Sequence, residues 1–509
     1  MGNRKKGITL SYVNTIFNMI CGLFLSSFLV NVLGDTEYGI YKTIGSFANY
    51  LVLLEFGTGT VIARNVSVCR SKNATEEEIN KNVSTIWNIT NALSLLILIV
   101  SIVFYFCIDK MYAESMTPEQ IEYGKLIFIF ITAYLIVSFY SQTLNGITLA
   151  FEHYSFSSVL EIARNAVRVI MLVGFILAWR YSIIIAIVDA FISLILVAIK
   201  FAFCKKKLRV KFGLKYIDKL VLKSVLPLCL ALFLQTIVNQ ANSNVDQFII
   251  GIVMTPEDVT LYSIALYIYS VYSAMMTIPI SMYTPEVTKN VVDGKEGKEL
   301  TKTLVAPSRL IAFIGGAILF GFVGFGRQFI SIFYGDSYLL AWTIGLIIMI
   351  PSFLNSTTGV LINVLNALNK RMARSAILIG TTIVNIGLTI WWIHIWGMVG
   401  AAVATAVCTV VGQLILMGIY YKRAININVL YLYLKAFKGI IIYQIIGAIA
   451  SFFAGYFISN VYLSFAVAVI TYGIVFLGLY LLFGASKQEK SSIKSIFKKV
   501  LNKIRRKNA

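Results

Sequence analysis

The stretch Phe28–Asn65, FLVNVLGDTEYGIYKTIGSFANYLVLLEFGTGTVIARN, decides the fold. One apolar helix ends at Leu33, a short turn of Gly34, Asp35, Thr36 and Glu37 follows, and a second apolar helix is predicted from Tyr38 to about Ala63. Lys42 and Glu55 lie inside that second span. A charge at the bilayer centre costs about 2.5–3.5 kcal/mol on insertion scales, so such residues face a cavity or a partner. A hairpin of apolar helices around something polar is the unit that the chain repeats.

Composition supports the same class. Of 509 residues, 58% are hydrophobic and 13% charged, with a mean hydropathy of +0.81, whereas soluble domains carry about 25% charged residues. With seven prolines and no low-complexity linker, the chain reads as one all-α, polytopic membrane domain. Spanning helices need about 20 apolar residues. Fourteen stretches qualify: about 8–33, 38–63, 83–107, 125–150, 156–178, 181–203, 222–252, 259–283, 305–330, 338–363, 373–395, 398–421, 434–458 and 461–484. Arg4, Lys5 and Lys6 before the first run mimic a signal peptide. The run is too long for one and lacks a small-residue cleavage site, so it is read as a retained first helix.

The basic residues test that count. With fourteen spans, 37 of the 44 Lys and Arg fall at the two termini and the even-numbered connections, and four (Lys110, Lys125, Arg180, Arg327) at the odd ones. Such asymmetry marks the cytoplasmic side. It predicts both termini in the cytoplasm, and it accounts for the net charge of +21 as topology rather than nucleic-acid binding.

An internal repeat is visible at an offset of about 220 residues. Leu144-Asn145 matches Leu365-Asn366, Asn165 matches Asn385, and Tyr41 matches Tyr262. Six spans per repeat keep both halves in one orientation, the pattern of parallel repeats with a substrate site between them. The expected organisation is a first six-helix bundle over 1–210 and a second over 211–425, related by a pseudo-two-fold axis. Two extra helices at 426–485 and a basic tail at 486–509 complete it.

Polar stripes mark candidate site residues. Span five carries Glu161, Arg164, Asn165 and Arg168, at helical spacing on one face. Three charges facing lipid would cost roughly 8 kcal/mol on the insertion scale, so they point inward. They fit a cationic lining for phosphate, since Arg offers a fork matched to phosphate oxygens; an ion-pair network that only fixes helix packing fits the same spacing. In the repeat, the positions matching Arg164 and Arg168 are Val384 and Leu388, so the cationic feature belongs to the first half. Lys42 adds a third positive charge. Span seven carries Gln235, Asn239, Asn242 and Asp246, and span one carries Ser11, Thr15, Asn18, Gly22 and Ser26 at similar steps. Such stripes suit sugar hydroxyls, or equally hydrogen bonds between helices. The tyrosines of span eight (262, 267, 269, 272, 283) read as an interfacial belt more readily than as sugar-stacking faces. Glu55 and Asp189 are the candidate proton or sodium sites.

Covalent chemistry has no support. The six cysteines are scattered without C-x-x-C, only His153 and His394 are present, and no phosphate-cradling Gly-rich loop, metal spacing or nucleophile with a base occurs. The chain reads as a non-enzyme without a cofactor. In the tail, Ile493, Ile496, Phe497, Val500, Leu501 and Ile504 have helical spacing. That fits either an amphipathic helix on an anionic leaflet or a solvated basic tail.

The pattern LG-x-x-EYG-x-Y at Leu33–Tyr41 resembles that of the Wzx-like oligosaccharide-lipid flippases of the multidrug/oligosaccharidyl-lipid/polysaccharide exporter superfamily. The Leu-Asn turns, the sequence Asn369-Lys370-Arg371-Met372, the Gly-rich opening of span twelve at Gly397–Ala402 and the fourteen-span layout extend the resemblance over most of the chain. It implies two six-helix bundles around a cleft and alternating access. The implied cargo is a polyprenyl-diphosphate-linked oligosaccharide, moved from the inner to the outer leaflet of the bacterial cell membrane for surface polysaccharide synthesis. The implied partners are that substrate, membrane lipids and other polysaccharide-assembly proteins, with no nucleic acid. It also implies positive residues in the cleft, a role that Lys42, Arg164 and Arg168 match. Peptidoglycan-precursor flippases of the same superfamily also have fourteen spans, multidrug/cation antiporters of the same fold usually stop at twelve, and a membrane polysaccharide polymerase is a further alternative.

Overall fold

The computed structural model describes residues 2–213, 218–368 and 370–485, and the side chains of 2–16, 231, 234, 235, 238, 239, 241–244 and 371 lie outside that description. The predicted amphipathic tail, 486–509, also lies outside it. Among the described residues there are helices and short connections but no strand.

Each of the fourteen predicted stretches becomes helical. Spans one to seven are Gly2–Leu33, Asp35–Ser71, Glu76–Tyr112, Pro118–Ala150, Tyr154–Trp179, Ile183–Lys206 and Lys219–Val253. Spans eight to ten are Pro256–Val292, Gly297–Phe333 and Asp336–Thr357. Spans eleven and twelve lie in one run, Met372–Ile425, of 54 residues. At 1.5 Å per residue that run measures about 80 Å, far beyond one crossing of about 30 Å. It turns at Gly397, with φ 58° and ψ −144°, a conformation essentially restricted to glycine. Span thirteen is Val429–Phe437 with Ile441–Tyr456, bent by 51°, and span fourteen is Val461–Gly484.

The second span departs from the straight helix expected between Tyr38 and Ala63. It runs as an α-helix over Asp35–Ala48, tightens to a 3-10 helix over Asn49–Glu55, and passes through left-handed Phe56 and Gly57 before the helix resumes at Thr58. Such backbone is tolerated at membrane depth only where protein or a cavity satisfies it. Here Gln240 donates to the Asn49 carbonyl at 3.1 Å. Thr58, Thr143 and Thr90 share hydroxyl hydrogen bonds of 3.1 and 3.0 Å beside the break.

The opening motif is a stitch at one end of these helices. Glu37 accepts from the Ser182 amide at 3.0 Å, Thr36 bonds Glu257, and Thr260 donates to the Asp35 carbonyl at 2.6 Å. A Cβ on Gly39 would lie 2.0 Å from the Pro256 carbonyl oxygen, so no side chain fits there. Ser115 donates to the Gly251 carbonyl at 2.9 Å. Connections one, three, five and seven therefore gather on one face. On the other, Arg70 donates to the Ala150 carbonyl at 2.6 Å, and Asn80, Ser84, Thr85 and Asn88 hydrogen-bond the backbone of Lys211, Gly213 and Asp218. Connections two, four and six share that end. Strict alternation of crossings requires this sorting.

The chain forms two compact units. The first is Met1–Ile264 with Ile386–Ala401; the second comprises the described parts of Ala265–Asn385 and Ala402–Ala509. Among the described residues, the core of the first unit includes a cluster around Ile44, Phe47, Tyr112 and Phe128 and another around Ile62, Ile86, Leu144 and Ile147. In the second unit, spans thirteen and fourteen pack on span nine through Ala448, Tyr472, Phe476 and Tyr480. That packing is polar in places. Gln444 is fully buried, donates to the Phe313 carbonyl at 3.0 Å and fills the space over Gly316; Ser451 abuts Gly324.

Candidate functional site

Two helical faces of opposite polarity build the charged site in the first unit. Span five presents Glu161, Arg164 and Arg168. Span six presents Asp189, Ser193, Leu196 and Lys200, at steps of four, three and four residues, which share one face. The two helices run antiparallel, so each carboxylate meets a cation of its neighbour. Arg168 grips Asp189 with both prongs, Nη2 donating to Oδ2 at 2.8 Å and Nε to Oδ1. At the other rung, Lys200 donates to Glu161 Oε1 at 3.1 Å and to Ser141 at 3.0 Å. Glu161 Oε2 lies 3.3 Å from Arg164 Nε. Arg164 also donates to Asn165 Oδ1 at 2.9 Å, and Asn165 donates to Asn18 of span one.

The Asp189 carboxylate borders a cavity of about 210 Å³. Tyr41, Lys42, Ser46, Asn49, Tyr134 and Gln247 line it as well. Gln247 holds the wall by donating to the Lys42 carbonyl at 3.3 Å and to Ser263 at 3.1 Å. The Lys42 ammonium stands 5.2 Å from the centre of the Tyr38 ring and makes no ion pair among the described residues. The cluster as a whole holds four cations (Lys42, Arg164, Arg168, Lys200) against two carboxylates (Glu161, Asp189). The Lys200 side chain is 2% exposed, while Arg164 and Arg168 keep about a third of theirs, at 33% and 32%.

Of the other sequence candidates, Asp246 and Glu55 do not line this cavity. Asp246 accepts from Tyr262 and from Thr389, each at 3.2 Å. Tyr262 is buried, as is Tyr272, so neither belongs to an interfacial belt. Glu55 ends the 3-10 turn of the second span; it does not line the cavity and makes no ion pair among the described residues. The side chains of Gln235, Asn239 and Asn242 lie outside the described residues.

Sequence reasoning missed Lys200, which it counted among the basic residues at the cytoplasmic end of span six. The signal was present, since Lys200 shares the helical face of Asp189 and matches the reversed polarity of span five. It also missed Ser46 and Asn49, which follow Lys42 at steps of four and three.

The chain belongs to the family described as polysaccharide biosynthesis protein, whose model matches residues 4–291. No curated protein matches its sequence. Among solved structures, the chain is similar to the lipid II flippase MurJ in an inward closed conformation, with a TM-score of 0.70 and 16% identity over 94% of this chain and 98% of that one. It is also similar to a multidrug resistance MATE family transporter of the MOP superfamily in an inward-facing conformation, with a TM-score of 0.58 and 14% identity over 82% and 95% of the two chains. A MOP superfamily transporter from Pyrococcus furiosus gives a TM-score of 0.51 and 14% identity over 84% and 97%. The fold is therefore the one that these solved structures share, in a multi-pass membrane protein.

Proposed function

We propose that this protein is a flippase that carries a polyprenyl-diphosphate-linked oligosaccharide from the inner to the outer leaflet of a bacterial cell membrane, by alternating access. The observation that carries this reading is the cationic surplus of the first unit: four cations, two carboxylates and a polar cavity. A diphosphate brings about two negative charges, and the bilayer core of about 30 Å offers it no hydration. Two guanidinium groups one turn apart supply the planar, forked donors that phosphate oxygens accept.

In this scheme the carboxylates are place-holders. Without substrate, Asp189 holds Arg168 and Glu161 holds Arg164 and Lys200. An arriving diphosphate takes over the guanidinium of Arg168, and Asp189, left without its counter-ion beside the cavity, takes up a proton or a sodium ion. That exchange is the coupling step. Lys42, which lines the same cavity, completes the phosphate site, while Gln235, Asn239, Asn242 and Asp246 contact sugar hydroxyls. Glu55 is a weaker candidate for coupling than Asp189, because it stands away from the cavity. Both termini lie in the cytoplasm, as the charge distribution over the connections supports, and other polysaccharide-assembly proteins act before and after it.

The likeness to a lipid II flippase favours one second reading, a peptidoglycan-precursor flippase on the same site chemistry. Purified protein in liposomes separates these readings. Leaflet exchange of a polyprenyl-diphosphate oligosaccharide, and not of lipid II, is the expected result. Exchange of lipid II alone favours the second reading. Drug-driven ion flux without either exchange, or formation of glycosidic bonds, overturns both.

A further inference from the structure

A second basic site lies far along the chain from the first, in the second unit. A cavity of about 450 Å³ is bounded by Lys295, Glu296, Gly297, Lys298, Lys370 and Arg423, within the range of about 300–1,000 Å³ usual for small-molecule sites. A second, of about 310 Å³, shares Lys298 and Asn426 with it and adds Lys302, Lys422 and Tyr431. Its walls come from connections eight, ten and twelve, all even-numbered.

The charge here is not neutralised as it is between spans five and six. Six cations (Lys295, Lys298, Lys302, Lys370, Lys422, Arg423) surround the two cavities, and Glu296 is the carboxylate in the wall. Among the described residues, none of the six makes an ion pair. Two of them are occupied by neutral oxygens: Lys295 donates to Asn290 at 2.9 Å and Lys370 to the Ala424 carbonyl at 2.7 Å. Lys298, Lys302, Lys422 and Arg423 remain exposed. The first turn of span nine opens at Gly297 without a side-chain cap on its amides, which adds positive potential to the same space.

One wall separates a lipid from a free anion. Tyr431 lies on the short helix Val429–Phe437 of span thirteen, which is bent by 51° against Ile441–Tyr456. The outward face of that helix presents Leu430 and Leu434, 68% and 64% exposed. Cations in the walls and exposed leucines on the helix that bears Tyr431 match a molecule with a phosphate head and acyl chains, whereas a soluble anion has no use for the leucines. Basic pockets between spanning helices are recognised headgroup sites.

We propose that these joined cavities bind the phosphodiester headgroup of an anionic membrane phospholipid, with its acyl chains along Leu430 and Leu434. This site is separate from the one proposed for the flipped substrate. The test is native mass spectrometry of the detergent-purified full chain, titrated with phosphatidylglycerol and, separately, with zwitterionic phosphatidylethanolamine. The variant K298Q/K302Q/R423Q removes three exposed cations and keeps the hydrogen-bonded Lys295 and Lys370. Three basic residues near an anionic surface, each contributing as such residues usually do, predict a loss of roughly 100-fold in phosphatidylglycerol affinity, with phosphatidylethanolamine unchanged. An excess of inorganic phosphate should not displace the lipid, and Arg168→Ala should bind it as the wild type does. Equal phosphatidylglycerol binding by the triple variant overturns the proposal. Displacement by inorganic phosphate overturns the assignment to a lipid, and loss on Arg168→Ala alone overturns the separateness of the site. Single substitutions K298Q, K302Q and R423Q, each of an exposed side chain, give a graded loss and keep the test open if the triple variant does not fold.

Discussion

Spans five and eleven occupy matching places in the repeat, and each is tied to two neighbours. Span five is tied to span one by Asn165 and Asn18 and to span six by Arg168 and Asp189. Span eleven is tied to span seven by Thr389 and Asp246 and to span twelve by Asn385 and Thr405, the latter at 3.1 Å. The repeated asparagines, Asn165 and Asn385, are both buried. What differs is the residue beside each: Arg164 and Arg168 stand where span eleven has Val384 and Leu388. No arginine takes part in the ties of span eleven, so the guanidinium groups of span five are more than joining such helices requires. Retaining three charges in span five at a cost of about 2.5–3.5 kcal/mol each, where span eleven is joined without a charge of its own, argues for a role in substrate handling.

The largest effect to look for concerns the premise that the two halves share one orientation. In a background without the six native cysteines, single cysteines at 36, 115 and 257 should be labelled by a membrane-impermeant reagent added outside, and those at 72, 207 and 295 should not. The result is all or none at each position. Labelling of 207 from outside would break the parity on which the comparison of spans five and eleven rests.

A smaller effect concerns stability. Arg168→Ala leaves the Asp189 carboxylate, 14% exposed, without its counter-ion. The expected cost is about 3 kcal/mol, the lower end for a broken buried pair because Arg168 retains some solvent contact. Leu388→Ala, the matching change in span eleven, should cost only what a trimmed apolar side chain costs. Thermal unfolding in detergent would show whether the first variant is the less stable of the two. Equal midpoints would mean that the pair contributes nothing beyond packing.

The smallest effect separates the two asparagines. Asn165→Ala and Asn385→Ala should each cost about 0.6–1.7 kcal/mol, the range measured for hydrogen bonds between membrane helices. Only Asn165→Ala should also slow leaflet exchange, because Asn165 orients the Arg164 guanidinium. A matching loss of exchange in Asn385→Ala would make both asparagines purely structural.

Much of this was legible in the sequence. Apolar runs located all fourteen helical stretches, because they depend on local composition. The break after Ala48 was not legible. It depends on Gln240, 191 positions away, reaching the Asn49 carbonyl, and no local pattern carries that information. Arg164 and Arg168 stood out because charge inside an apolar run is conspicuous. Lys200 did not, because it lies near a helix end where lysines usually reach the interface. Its burial follows from Glu161 on a different helix. The polarity of Gln444, in a span otherwise rich in apolar residues, is likewise explained only by the small Gly316 opposite.

The central claim is that Arg168 recognises substrate and does not merely neutralise Asp189. The most direct test is the double variant Arg168→Gln/Asp189→Asn, compared with each single change in reconstituted liposomes. Removing both charges leaves no buried ion unpaired, so the double variant should regain most of the stability that Arg168→Gln loses. It should nevertheless fail to exchange a polyprenyl-diphosphate oligosaccharide between leaflets. Exchange at the wild-type rate by a stable double variant would show that the pair only holds spans five and six together, and would contradict the account.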